Sequence, residues 1–282
     1  MKQNISIAVI GSINLDIVAR VKNFPHPGET VTNATLSRFP GGKGANQAVA
    51  AHRLGASVFM VGRVGADPHA EEALQILREE GVDLSYCKRL DNQATGVALI
   101  VVNEAGENQI VVAPGANAAF DAKHLAFPPT DACIAQLEVP IETILKAALA
   151  NNNFFCLNAA PVKPVPHELL KHVDLLVVNE IEAQALGAEL DSFHGLLAST
   201  YGAKGAVLSR NGVQIAKAKP PRIEVIDTTG AGDAFTAALT VGLVSGLEPQ
   251  AALEQACVVG ALATTKMGAQ SSPILDEVQQ IG

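Results

Sequence analysis

The sequence predicts an α/β fold: a doubly wound, mainly parallel sheet flanked by helices, with a small antiparallel β lid. Three observations carry that expectation. Short apolar strand-like runs alternate with helical patterns through most of the 282 residues. Two glycine-rich turns each lead into a helical run, at Gly41-Gly42-Lys43-Gly44 and at Gly230-Ala231-Gly232. Two stretches break the rhythm with strand patterns and no helix between them. Alternation of the first kind is the mark of βαβ units, in which ligands gather at the carboxyl ends of the strands.

In chain order, the core begins with a strand at Ser6–Ile10, a helix over Gln47–Leu54, a strand at Ser57–Val61 and a helix over Ala70–Glu80. Next come a strand at Ala132–Gln136, a helix near Ile141–Asn151, a strand at Phe154–Leu157, a helix near His167–His172 and a strand at Leu175–Val178. Helices are expected near Glu180–Leu186 and at Phe193–Tyr201, then strands at Ala206–Leu208 and Ile223–Ile226, and helices from Ala234 and Ala251. The lid would consist of Asp16–Val21 with Thr30–Arg38, and of Gly96–Val102 with Gln109–Ala113, the second pair closed by the turn Asn103 to Asn108. Residues 1–13, 39–94 and 118–282 would then form the core, and 14–38 and 95–117 the lid.

Composition narrows the function. A chain of this length with 48% hydrophobic residues can bury one large core. Net charge is −8 and the basic residues are scattered, which argues against a nucleic-acid or membrane surface. The run Ile5–Ile10 is too short for a membrane span and has no small-residue cleavage site after it, so a cytoplasmic protein is expected. Cys87, Cys133, Cys156 and Cys257 make no C-x-x-C pair, and the seven histidines show no metal spacing.

Asp227-Thr228-Thr229-Gly230-Ala231-Gly232-Asp233 reads as a glycine turn, an acidic residue and a helix start in one run. Glycines 230 and 232 let backbone N–H groups cradle an anion at a helix N-terminus, and Asp233 beside them can take a proton from an attacking hydroxyl. A plain helix cap is the alternative reading of Asp233. The second glycine segment is not a P-loop, because Ser37 stands where the first glycine belongs and Gly44 follows Lys43. It offers bare backbone, an amide and an ammonium, groups suited to a polyhydroxyl substrate. Asn14 and Asp16, two apart in a strand, share a face and suit vicinal hydroxyls, unless they are only a polar strand face. A dinucleotide fingerprint is excluded, since Phe235 stands where its third glycine would be.

Together these segments resemble the ribokinase (PfkB-type) family of sugar kinases. The likeness extends along nearly the whole chain through Gly11-Ser12-Ile13-Asn14-Leu15-Asp16, Pro27-Gly28-Glu29-Thr30, Gly106-Glu107-Asn108, Pro114-Gly115-Ala116-Asn117, Gln136-Leu137-Glu138, Asn158-Ala159-Ala160-Pro161, Asn179-Glu180-Ile181-Glu182-Ala183 and Lys266-Met267-Gly268-Ala269-Gln270. It implies a ribokinase-like fold and an ATP-dependent sugar kinase that phosphorylates the primary hydroxyl of D-ribose. Another small sugar or a nucleoside is the alternative acceptor, and a catalytically weak sugar-binding protein the reading outside that class. In this likeness Asp233 is the base, with Gly230, Ala231 and Gly232 as anion hole. Asn14, Asp16, Gly42, Lys43, Asn46 and Glu138 hold the sugar; Asn179 and Glu182 lie near the phosphates and Mg²⁺. Ser209 and Gly212 stand in the nucleotide loop, with serine where a glycine is common. A potassium ion would be ringed, mostly by backbone carbonyls, at Asp227, Thr229, Ala263, Lys266, Gly268 and Ser272. A homodimer through the lid is expected, because Gly96–Val102 carries apolar residues on both faces.

Overall fold

The structure is a computed structural model and describes residues 4–281. The chain runs β1 (Ser6–Ile10), β2 (Asn14–Arg20), β3 (Thr35–Gly41), α1 (Lys43–Arg53), β4 (Ser57–Val61), β5 (Arg63–Gly65), α2 (Pro68–Ala73), α3 (Gln75–Glu80) and β6 (Lys88–Leu90). It continues with β7 (Gly96–Val102), β8 (Asn108–Ala113), β9 (Ala132–Gln136), α4 (Ile141–Ala150), β10 (Phe154–Asn158), α5 (His167–Leu170), β11 (Leu175–Asn179) and α6 (Glu180–Leu186). The last elements are β12 (Leu196–Thr200), β13 (Ala206–Arg210), β14 (Val213–Ala218), α7 (Ala231–Val244), α8 (Pro249–Ala263) and α9 (Leu275–Gln279).

The core sheet has eight strands in the order β14-β13-β12-β11-β10-β9-β1-β4. From β4 to β12 every pair is parallel, and β13 and β14 close one edge as an antiparallel hairpin. Alternate residues of each central strand feed two separate apolar layers. Ile7, Val9, Ile134, Cys156 and Val177 pack toward α1, α7 and α8, whereas Ala8, Ile10, Cys133, Phe155 and Val178 pack on the opposite face, which α4 and α5 cover. This two-sided burial is what the continuous apolar runs of parallel strands require.

Three expectations fail locally. Phe193–Tyr201 is not a helix; its central part is β12, paired in register from Leu196 with Leu175 to Thr200 with Asn179. A short apolar run such as Leu196-Leu197-Ala198 suits either state, and here the parallel partner decides. Ile223–Ile226 is not a strand, because Pro220 and Pro221 cut it off from β14 and its only ladder-like bonds run from Ile226 and Asp227 N–H to the Thr264 carbonyl, at 2.8 and 3.1 Å. The helix expected over Ala70–Glu80 breaks at Leu74 into α2 and α3.

The four lid strands are ordered β3-β2-β7-β8. Its outer pairs are antiparallel, but the central pair β2–β7 is parallel, with Asn14 opposite Gly96 and Arg20 opposite Val102. Because β2 and β7 come from distant parts of the chain, their relative direction could not follow from a hairpin. One lid face presents Asn14 and Asp16 to the core. The edge strand β8 is exposed along its whole length, leaving Val111 on one face and Ile110 and Val112 on the other in water. No helix among the described residues is long and apolar enough to cross a membrane.

Candidate active site

The start of α7 sets the geometry. Gly230 takes φ +79°, and a Cβ there would strike the Ala269 backbone, so only glycine lets the turn pack this closely on the loop after α8. Helix geometry leaves the first N–H groups of α7, from Ala231 onward, without intrahelical partners. Asp233 sits on that first turn and is buried. Its two oxygens accept from two amides of α1: Asn46 Nδ2 to Oδ2 at 2.9 Å and Gln47 Nε2 to Oδ1 at 2.8 Å. The cap reading of Asp233 therefore gives way to a carboxylate held across an interhelical gap.

Gly42, at φ +90°, begins α1 against the backbone of Ser12 and Asn14, where no side chain would fit. No side chain of α1's own sequence caps the helix. Glu138 does so from the loop after β9, its Oε2 accepting from Lys43 N–H at 3.2 Å and from the Ser12 hydroxyl. Asn14 is fixed by Asn117, whose Nδ2 donates to Asn14 Oδ1 at 2.7 Å. Asn117 also exchanges two bonds with the Ile13 backbone, so the Asn14 amide is left to present its NH₂. The charge of Asp233, working against the burial of Lys43 and helped by Glu138, Glu182 and Asp16, pushes the Lys43 ammonium up. Burial, then the charges of Glu138 and Asp233, raises Asp16 to about 7.

A cavity of about 230 Å³ opens beside Asp233 at the carboxyl ends of β10, β11 and β12, and Lys43, Asn158, Asn179, Glu182, Thr200, Thr228, Gly230 and Gly232 are among its walls. Asn179 and Glu182 form a reciprocal capping box at 2.8 and 2.9 Å, the arrangement that a plain cap requires, and both also line this cavity. Burial pushes the Glu182 carboxyl up. Its remaining oxygen suits a hydrated Mg²⁺, which takes few protein ligands.

Asp227, Thr229, Ala263, Gly268 and Ser272 meet in one loop cluster. Asp227 accepts from Thr229 N–H and hydroxyl at 2.9 and 2.7 Å and from Gly268 N–H at 3.0 Å, and these bonds outweigh its burial and hold it below the usual carboxylate range. The Ala263 carbonyl accepts from Ser271 at 2.7 Å, while Ser272 Oγ is buried without a hydrogen-bond partner. That orphaned oxygen fits a monovalent cation. Lys266 turns its ammonium away to Glu277 at 3.0 Å, leaving only its backbone for such a site. The cluster touches the lid, since Phe39 of β3 lies against Gly268 and Arg20 of β2 reaches Met267 Sδ at 3.8 Å.

Ser209 and Gly212 are not brought to the site. Because β13 is antiparallel, Ser209 pairs with Leu197 and Arg210 with Leu196, so the Asn211-Gly212 turn lies at the amino end of β12. That is roughly 13 Å along the strand from Thr200, at the strand rise of 3.3 Å per residue. The glycine turn at the carboxyl end of β12 is instead Gly202-Ala203-Lys204-Gly205, with φ +55° at Gly202 and +106° at Gly205. Thr200 and this turn were obscured by reading Phe193–Tyr201 as a helix. Ser12, Gln47, Asn117, Gln136 and Asn158 were also missed as site residues, though each stands in a motif that carried the resemblance.

A buried carboxylate at a helix N-terminus, beside a strand that carries Asn14 and Asp16, is an arrangement suited to phosphoryl transfer onto a hydroxyl. Residues 4–276 match the model of the pfkB family carbohydrate kinases, and the chain belongs to that family. It is similar to the ribokinase of Bacillus subtilis (strain 168), 38% identical over 98% of this chain and 99% of that one. Among solved structures it is similar to a ribokinase from Thermotoga maritima, with TM-score 0.90, 30% identity and 98% of each chain covered. A second is an Arabidopsis thaliana ribokinase complexed with ribose and ATP, with TM-score 0.87, 29% identity and 99% of each chain covered. The fold is ribokinase-like.

The Asp16 shift carries a stability consequence. A carboxyl raised from 3.8 to about 7 costs the fold nothing below pH 4, and the penalty grows as pH rises through that window and is complete above it. Asp16→Asn should therefore stabilise the protein at pH 8 by on the order of 2–4 kcal/mol, discounted for coupling to its neighbours, while weakening sugar binding. Urea melts at pH 4.5 and pH 8 check this: a gain equal at the two pH values would contradict it.

Proposed function

We propose that this carbohydrate kinase transfers the γ-phosphoryl group of ATP to the primary hydroxyl of D-ribose, yielding ribose 5-phosphate. The observation that carries the reading is the Asp233 carboxylate, buried on the first turn of α7 and held by amides of the glycine-rich helix α1. Asp233 accepts the proton of the attacking hydroxyl as the new O–P bond forms and the bond to the β-phosphate oxygen of ATP breaks. N–H groups of Gly230, Ala231 and Gly232 face the charge developing on the transferred group, so most of the catalysis is positioning and electrostatics.

Asn14 donates to and Asp16 and Glu138 accept from the sugar hydroxyls, with Gly42, Lys43 and Asn46 closing the pocket from α1. Triphosphate fills the cavity beside Asn179, Glu182 and Thr200, and the nucleotide extends along the Gly202–Gly205 turn. Bound Mg²⁺, held near Glu182 and Asn179, would supply charge neutralisation for the phosphates. Relatives support ribose as acceptor, though a Salmonella typhi deoxyribokinase is also 30% identical over 94% of this chain. Another small sugar or a nucleoside is thus the second reading. The experiment is a coupled ATP-turnover assay over ribose, 2-deoxyribose, hexoses and nucleosides. Ribose should give the highest kcat/KM, and Asp233→Asn should remove roughly 10²–10⁴-fold in turnover with ATP binding retained. Near-wild-type turnover in that variant would refute the base.

Potassium is proposed to activate the enzyme through the cluster of Asp227, Thr229, Ala263, Lys266, Gly268 and Ser272. The physical link is the packing of Ala269 on Gly230, which ties this loop to the anion-hole turn. Activity should rise on exchanging sodium or tetramethylammonium for potassium, and Ser272→Ala should flatten that response; equal rates in all three buffers would exclude the site.

The lid over residues 14–38 and 95–117 is proposed to close on the sugar and to pair with the lid of a second copy. Exposed apolar residues on both its faces, Leu36, Leu99 and Val111 on one and Ile110 and Val112 on the other, and the free edge of β8 favour this occupant. Light scattering at micromolar concentration should give twice the mass of 29.2 kDa. A monomer mass unchanged by ribose would refute it.

A further inference from the structure

Gln47 is one of the two amides that hold Asp233, and unlike the other it is fully buried with both ends of its amide engaged. Nε2 donates to Asp233 Oδ1 at 2.8 Å and to Asn158 Oδ1 at 3.2 Å, using both its hydrogens. Oε1 accepts from Nε2 of Gln136, the last residue of β9, at 2.6 Å. Turned over, Gln47 would set its oxygen against those of Asp233 and Asn158, so the buried amide has one workable orientation.

Asn46, next along α1, is different. Its Nδ2 donates to Asp233 Oδ2, but its own Oδ1 is buried with no hydrogen-bond partner. An amide with one end unsatisfied is the one that a sugar hydroxyl can engage, so Asn46 is shared with the substrate and is not by itself a fixed anchor for Asp233. The terminal torsion of a carboxylate is soft, so something else must hold the plane of Asp233.

We propose that Gln47 is the positioning residue of the base: anchored by Gln136 and Asn158, it commits Asp233 Oδ1 to a fixed hydrogen bond and leaves Oδ2 as the oxygen that accepts the sugar proton. This rests on Asp233 as the base. Gln136, on the central sheet, acts only through Gln47. The arrangement ties the catalytic carboxylate of α7 to the rigid sheet through two amides.

The test is steady-state kinetics with ATP and ribose on Gln47→Met, Gln136→Met and the double variant, each checked by thermal melting. Gln47→Met should lower kcat by roughly 10- to 100-fold, the cost of a misplaced reacting group, with both KM values nearly unchanged. Gln136→Met should lower kcat less, and the double variant should be no worse than Gln47→Met alone, because the two act in series. A wild-type kcat in Gln47→Met, additive losses in the double variant, or a raised ribose KM at unchanged kcat would overturn the proposal. Should Gln47→Met fail to fold, Gln136→Met decides alone, a lower kcat at unchanged KM supporting the proposal and a wild-type kcat overturning it. Asp233→Asn separates the two ideas: if it stays active the base assignment fails, and if it is inactive while Gln47→Met is normal only the positioning role fails.

Discussion

The meeting of two helix N-termini across one carboxylate governs this active site. α1 begins at Gly42 and α7 at Gly230, both at glycines with positive φ, and Asp233 spans the gap by accepting from Asn46 and Gln47. Positive helix ends facing each other would repel, and they also draw in anions. Asp233 satisfies that field from α7, and Glu138 satisfies it from the loop after β9 by capping α1. The remaining field is available to the phosphates. It matters because the surroundings are otherwise hostile to them: four carboxylates stand around Lys43, and the chain as a whole is acidic. A local reversal of sign, built from backbone rather than from arginines, is what lets a polyanion approach.

Much of this was legible in local sequence. The glycine turns at 41–44 and 230–232, the buried strands β1, β4, β9, β10 and β11, and the lid hairpin β7–β8 each follow from residues within one short window. What escaped needed distant partners. β12 is a strand because β11 lies beside it, and its run Leu196-Leu197-Ala198 would serve a helix equally well. The nucleotide-loop expectation at Ser209 and Gly212 rested instead on the resemblance, which set them after a strand end. In the fold that strand points the other way. The amides on Asp233 come from positions 187 and 186 residues away, a pairing that no spacing rule reveals.

Residues that look alike in a motif also divide by what they lack. Asn46 and Gln47 are neighbours with the same functional group, but one has an unsatisfied oxygen and the other has none. Asn14 is a further amide of this kind, and Asn117 decides which of its ends is offered. The donor and acceptor polarity of these amides is therefore set by second partners behind them. Asp16 shows the cost of such a design, since a carboxyl forced up to about 7 is kept in place against the preference of the fold.

The contacts of Phe39 with Gly268 and of Arg20 with Met267 join the sheet that carries Asn14 and Asp16 to the loop that packs on Gly230. A sugar that draws the lid inward and an ion that orders that loop would thus act on one shared interface. Thermodynamic reciprocity then imposes an equality: whatever factor the ion adds to sugar affinity, the sugar must add to ion affinity. With a cation bound as proposed, sugar abundance would register partly as a change in how firmly that cation is retained, and lid, loop and phosphate cradle would form one thermodynamic unit rather than three sites in proximity.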